Sequence, residues 1–263
     1  MKIAMGVEYD GSAYYGFQFQ ENLPTVQQAL ESALSRVANH SIRVICAGRT
    51  DTGVHAVEQV IHFESNAQRS TRAWLLGANT NLPRDISIRW VCEMPSDFHA
   101  RFSAISRSYY YLIYNNEVRS ALLRNKAYWY CRPLNTEFMQ KAAHYLFGTH
   151  DFTSFRSSGC QAKKTVRTIT DLSVFRKNEF VICHIQSDGF LHHMVRNIVG
   201  TLLPVGEGLQ PAEGVKEILD GCDRRKAGVM VPAHGLYLNK INYPEHFCFG
   251  KRRDFFLTCF EKA

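Results

Sequence analysis

No run of about 18 apolar residues occurs in the 263-residue chain, so no segment reads as a membrane-spanning helix. No C-x-x-C pair occurs among the eight cysteines, Cys46, Cys92, Cys131, Cys160, Cys183, Cys222, Cys248 and Cys259, which argues against a zinc ribbon. A P-loop, a G-x-G-x-x-G and a metalloprotease histidine pair are all missing, and with them the common signatures of nucleotide, dinucleotide and catalytic zinc binding. His192 and His193 are adjacent. On a helix they would point about 100° apart and make a poor ligand pair, so capping or packing is expected of them and no metal site is expected in the chain. Low-complexity segments are also missing. Acidic residues are the minority, 24 against 31 basic, giving a net charge of +7 with histidines neutral. That balance points toward an anionic partner such as nucleic acid and fits a soluble basic protein equally well.

A hydrophobic fraction of 45% suffices for one large domain or two small ones. Several cysteines sit in apolar strand-like runs, where cysteine packs as a small hydrophobe. A reduced, cytoplasmic setting is the simplest expectation. The first ten residues reach Glu8 before any useful apolar core, so no signal peptide is expected.

Periodicity predicts the elements. Ile3–Tyr9 reads as a strand. Val26, Ala29, Leu30, Ala33, Leu34 and Val37 recur at helical spacing over 25–38, with Thr25 and Gln28 at capping-box spacing. Strands are predicted at 42–47 and 57–64, a helix at 72–76 ending before Asn81, and a strand at 86–92. Beyond these come a strand at 107–114, a helix at 136–147 stopped by Gly148, strands at 166–176 and 179–187, a helix at 192–205, another from Pro211 to Gly221, and a strand at 236–241. The fold class is therefore α+β. Two α/β units are expected, each an antiparallel sheet with helices on one face (RRM-like or ferredoxin-like halves), with an active-site cleft between them. The expected division is 1–105, 106–245 and a tail at 246–263 that is aromatic and basic.

The densest chemistry lies in Gly48-Arg49-Thr50-Asp51-Thr52-Gly53-Val54-His55-Ala56-Val57, a polar, glycine-rich stretch between two apolar runs. Loops of this kind, held by a rigid scaffold, are where sites are built. Gly48 and Gly53 permit positive φ or close approach of the backbone. An Asx-turn made by Asp51 in an ordinary loop would look similar.

This stretch resembles the active-site loop of the tRNA pseudouridine synthase A family. Five further blocks resemble that family in order. They are Glu8–Gln18, with Phe17 where a tryptophan is common; Phe98–Ala104 running on to Arg107–Tyr111; Asp151–Arg156; Phe190–Asn197; and Gly235–Leu238. The resemblance implies that Asp51 is the catalytic residue, that Arg196 pairs with it from the second half, and that Tyr109 stacks on the target base. Tyr109 and Tyr111 share a face of their strand, so spacing alone does not choose between them; order within the family block selects Tyr109. Arg49 is implied to insert where the uridine leaves its stack. RNA contacts are implied at Arg69, at Phe98, His99, Ala100, Arg101 and Phe102, and at Gly159, Cys160, Gln161, Ala162 and Lys163. Glu117 stands where the family has a basic residue, with Arg119 close by.

The implied reaction swaps a C–N glycosidic bond for a C–C bond within one nucleotide. It is redox-neutral, so no cofactor is expected. Three routes suit a carboxylate: attack at the sugar C1′, attack at the uracil C6, or proton abstraction leading to a glycal. All three need Asp51 ionised. The resemblance further implies uridines 38, 39 and 40 of the tRNA anticodon arm as targets, and a homodimer that grips one tRNA across both subunits. The competing readings are a non-catalytic RNA-binding module with paired RRM-like sheets, which lacks an RNP1 match, and a hydrolase using Asp51 with His55.

Overall fold

The computed structural model describes residues 1–160 and 162–249; Gln161 and the tail from residue 250 lie outside the described residues. The strands in chain order are β1 (Lys2–Tyr9), β2 (Ile45–Cys46), β3 (His55–Glu64), β4 (Ile86–Met94), β5 (Ser106–Asn115), β6 (Tyr128–Tyr130), β7 (Gly148–Asp151), β8 (Val166–Lys177), β9 (Phe180–Ser187) and β10 (Leu236–Asn242). The helices are α1 (Val26–Ala38), α2 (Thr71–Asn81), α3 (Thr136–His144), α4 (Met194–Gly206) and α5 (Glu213–Asp220). Among the described residues no helix is long and apolar enough to cross a membrane.

The chain forms two compact units. One comprises Met1–Ile105 with the segment that begins at Tyr237; the other comprises Ser106–Leu236. The expected assignment of 106–245 to the second unit therefore differs at its end. Almost all of β10 belongs to the first unit, because it lies parallel to β3 with Tyr237 opposite His55 and Leu238 opposite Ala56.

In the first unit β1, α1, β2, β3, α2 and β4 follow the β-α-β-β-α-β order of a ferredoxin-like unit. β1 lies antiparallel between β3 and β4, with Met5 opposite both Ile61 and Val91. α1 starts where Thr25 accepts a bond from the Gln28 amide at 3.3 Å and ends at Asn39, φ 57°. It buries Val26, Leu30, Ala33, Leu34 and Ala38, at roughly 1.5–3 kcal/mol for each large side chain.

α2 runs five residues past the predicted end at Leu76. Its polar tail looks like a loop in sequence, but each side chain there bonds backbone. Thr80 and Asn81 donate to the carbonyls of Leu76 and Gly77, both at 2.8 Å. Asn79 reaches across to β4, accepting from the Ile88 amide at 2.7 Å and donating to its carbonyl at 2.9 Å.

In the second unit the sheet order is β7-β8-β9-β5 with β6 beside β5. The first four are antiparallel; β5 and β6 run parallel, as β3 and β10 do, so the expectation of wholly antiparallel sheets is corrected at these two pairs. β6 and β7, three and four residues long, carry too few positions for a period to be read from sequence. α3 is capped by Asn135, whose side chain accepts from the amides of Glu137 and Phe138.

Replacing Asn79 with alanine removes both bonds to the Ile88 backbone and the one accepted from the Ser87 hydroxyl. We expect a loss of about 1–3 kcal/mol, reduced by roughly 0.5 kcal/mol through alanine's better helix propensity. Urea unfolding measures it, and an unchanged midpoint would show that the α2–β4 bridge contributes nothing.

Candidate active site

The Asp51 loop is fastened by backbone on both sides. Upstream, the Ala47 amide donates to the Val60 carbonyl at 2.8 Å. The fully buried Gln59 side chain donates to the Gly48 carbonyl at 2.6 Å and accepts from its amide at 3.4 Å. Next to Asp51, Thr50 is held twice: its hydroxyl lies 2.7 Å from the Tyr9 hydroxyl, and its carbonyl accepts from the Phe17 amide at 3.0 Å. Downstream, Val54 donates to the Asp51 carbonyl at 3.1 Å and Gly53 to the Tyr14 carbonyl at 3.3 Å. Gly53 adopts φ 77°, as expected of one of the two loop glycines; Gly48 keeps an ordinary φ. The result leaves Asp51 half-buried and Arg49 exposed.

His55, the base a hydrolase would need, is built into the floor of this loop. It is buried, its ring stacks on Tyr237 at 4.6 Å and 22°, and its Nδ1 lies 3.0 Å from Asp10 Oδ1 and 3.1 Å from the Gly11 amide nitrogen. Burial pushes the Cys46 thiol up to about 11, while Arg49 and Arg101 pull it the other way.

The block at 98–102 divides into inside and outside. Phe98 and Ala100, expected as RNA contacts, are fully buried. Phe98 packs against His62, Tyr243, Phe247 and Phe249, and the Ala100 backbone is held on both sides: its amide donates to His62 Nδ1 at 3.1 Å and its carbonyl accepts from the Tyr243 hydroxyl at 2.6 Å. Their side chains present no surface to RNA. The surface belongs to Arg101 and Phe102. Phe102 is 77% exposed, stacks on His99 at 4.4 Å and 29°, and has the Arg101 guanidinium 5.7 Å from its ring. His99 Nδ1 accepts from the amides of both Arg101 and Phe102 at 3.2 Å. Arg69 is exposed at the start of α2 and donates to the carbonyls of Val37 and Gln68.

The second unit carries the other expected residues. On β5, Tyr109 is nearly buried with the Phe190 ring edge-on at 5.0 Å. Tyr111 is fully buried and donates to the Pro232 carbonyl at 2.7 Å; burial drives its phenol well above the ordinary range. Tyr110, on the opposite face, packs on His184. The choice that spacing left open between Tyr109 and Tyr111 is thus narrowed, since Tyr111 is a core residue.

Arg196 sits in the first turn of α4, only 9% exposed, with Nε donating to the Val231 carbonyl at 2.8 Å. It is not a surface residue of the helix, because a segment distant in sequence wraps it. Arg224 donates to Asn197 Oδ1 and to the carbonyls of Ala227 and Gly228, and the Gly228 amide donates to Thr201. Nothing local in the sequence marks Asn197, Thr201 or Arg224 for this role.

His192 and His193 precede α4, so the helical geometry assumed for them does not apply. Their rings lie 3.7 Å apart, His193 is left-handed with φ 61°, and its Nδ1 meets the Ser157 hydroxyl at 2.7 Å. In the loop that follows Ser157, Gly159 and Lys163 are exposed and Cys160 and Ala162 half-buried. Glu117 and Arg119 are both exposed after β5.

A family model described as tRNA pseudouridine synthase matches residues 5–103 and 142–244. The chain belongs to the tRNA pseudouridine synthase family. The matched segments include the Asp51 loop, the 98–102 block and Arg196, and leave out Tyr109. Proteins named tRNA pseudouridine synthase A are similar over nearly the whole length. One from Coxiella burnetii (strain Dugway 5J108-111) is 51% identical over 94% of both chains. One from Pseudoalteromonas atlantica is 52% identical over 95% of both, and one from Legionella pneumophila (strain Corby) 52% over 94% of both. Among solved structures, a Cbf5-Nop10-Gar1 complex aligns with a TM-score of 0.38 and 10% identity, over 90% of this chain and 48% of that one.

The 98–102 block depends on a neutral His62. Burial, with help from His99 and Lys2, pushes its imidazole down to about 4 from the ordinary 6.5. The unfolded chain therefore binds this proton first, and the site's stabilisation, complete above pH 6.5, is lost as pH falls toward 4. His62→Gln keeps an acceptor for the Ala100 amide but does not titrate. Between pH 7 and 4.5 the melting temperature of the wild type should fall more steeply than that of the variant. Parallel pH profiles would contradict this account.

Proposed function

We propose that this chain isomerises uridine to pseudouridine in the anticodon arm of tRNA, at positions 38, 39 and 40, with Asp51 as the catalytic carboxylate. One observation carries the reading: a half-buried aspartate on a loop fastened by backbone bonds on both sides, inside a segment matched by the family model. In the reaction the N1–C1′ bond breaks, a C5–C1′ bond forms, N1 gains a proton and C5 loses one. Atoms and electrons balance within the nucleotide, so a carboxylate that forms and breaks a bond, or takes and returns a proton, is sufficient.

The target uridine leaves its stack at a cost of a few kcal/mol. Arg49, exposed beside Asp51, fills the gap it leaves. Tyr109 stacks on the extruded base, a contact of about 1–3 kcal/mol, and Arg196, its Nε donating to the Val231 carbonyl, binds the substrate. Arg69, Arg101, Phe102 and Lys163, all exposed, hold the RNA. The enzyme works as a homodimer in the cytoplasm, one subunit receiving the anticodon arm while its partner steadies the tRNA body.

Asp51→Asn should lower pseudouridine formation at least about a thousandfold, the scale of losing an acting catalytic group, and leave tRNA affinity within about threefold, because affinity comes from phosphate contacts. Tritium release from C5-labelled tRNA, run in excess EDTA without added cofactor, reads both points. Activity of the asparagine variant within about tenfold of wild type would remove Asp51 from the chemistry, and loss of wild-type activity on chelation, restored by one metal, would overturn the cofactor-free reading.

Tyr109→Phe should bind tRNA normally and turn over more slowly, whereas Tyr109→Leu should also weaken engagement of the flipped base. A fully active phenylalanine variant would reduce Tyr109 to a stacking platform.

A further inference from the structure

The segment that leads from β1 into α1 lines the Asp51 loop at four points. Tyr9 meets the Thr50 hydroxyl, Phe17 donates to the Thr50 carbonyl, the Tyr14 carbonyl accepts from Gly53, and the Gly11 amide lies 3.1 Å from His55 Nδ1. The approach is close enough to dictate residue type. At Gly11 a Cβ would stand 2.0 Å from the Val54 carbonyl oxygen. At Gly16, φ 86°, it would stand 2.7 Å from that of Thr50. Three of the four contacts involve backbone on both sides or a ring already used by its neighbours. The fourth, Tyr9 to Thr50, joins two side chains, both buried, at the residue immediately before Asp51.

We propose that the buried Tyr9–Thr50 hydroxyl pair positions the catalytic loop, setting the direction in which Asp51 leaves the backbone, so that both residues govern turnover without touching tRNA. The inference rests on the proposed role of Asp51. Its physical basis is that Thr50 is anchored through backbone and side chain at once. The Phe17 amide holds its carbonyl, and the Tyr9 hydroxyl holds its side chain, so backbone and side chain are each fixed at the residue before Asp51. A catalytic group displaced by about 1 Å loses on the order of a hundredfold in rate.

The test compares Tyr9→Phe, Thr50→Val, the double variant, Thr50→Ser and Asp51→Asn with wild type, measuring kcat, KM and tRNA affinity, with thermal melts as the folding control. Tyr9→Phe keeps the ring that packs 6.4 Å from Phe17, and Thr50→Val keeps the shape of threonine. Each should lower kcat about ten- to hundredfold with tRNA affinity unchanged. The double variant should be no slower than the worse single, since both remove one contact. Thr50→Ser, which keeps the oxygen, should recover most of the rate. That rescue keeps the test meaningful if Tyr9→Phe fails to fold. Normal turnover in both singles, multiplied losses in the double, or a defect confined to tRNA affinity would overturn the pairing. Those results beside an inactive Asp51→Asn sink this inference only. An active Asp51→Asn sinks the catalytic reading and, with it, the reason for positioning the loop.

Discussion

Strand β3 carries four buried polar side chains; Glu58 accepts from the Trp90 indole of β4, and the other three each hold a loop. His55 meets Gly11 and Asp10, Gln59 clamps Gly48, and His62 accepts from Ala100. A polar group buried without partners costs several kcal/mol, so these side chains tolerate one loop conformation each. Because β3 pairs with β1 on one side and β10 on the other, the strand cannot shift without breaking two ladders. The sheet's register is thereby passed on to the Asp51 loop and to the 98–102 block. A slip of one residue would turn all three side chains to the wrong faces.

Much of this was legible in sequence. The β-α-β-β-α-β order, the Thr25 cap and the Asp51 loop all follow from local signals: period, cap chemistry, and polar residues between apolar runs. What was not legible depends on partners far along the chain. Asn79 extends α2 because Ile88 needs its amide and carbonyl satisfied. Arg196 is buried because the segment after Arg224 folds over α4. Tyr111 is distinguished from Tyr109 by Pro232. Phe98 and Ala100 were misplaced for a related reason. A turn has no period from which to read inside and outside, so the block was taken as one surface, when Phe98 and Ala100 turn inward toward His62 and Arg101 and Phe102 turn out.

The charge that would face RNA is separated from the groups that shape the loops. His62 and His99 are both pushed down by burial, with Lys2 adding to the effect, so they are neutral at physiological pH. A neutral imidazole can accept an amide bond, which is the task both perform. Positive charge is left to Arg49, Arg69, Arg101 and Lys163, all exposed. Loop shape and phosphate attraction can therefore change independently, and salt will act on the second far more than on the first.

A reaction that only exchanges one bond for another inside a nucleotide asks for little chemistry and much placement. In the role proposed for Asp51, the carboxylate must reach an atom that is hidden until the base has left its stack, and it must do so in the same place at each turnover. Side-chain rotamers alone do not secure that, because an aspartate on a mobile turn would spread over several orientations at a cost in effective concentration. Here the backbone on both sides of Asp51 is bonded to neighbouring segments, from Gln59 before it to Tyr14 after it. The order those bonds impose is supplied by folding, before RNA arrives, so binding energy from phosphate contacts remains available for extruding the base.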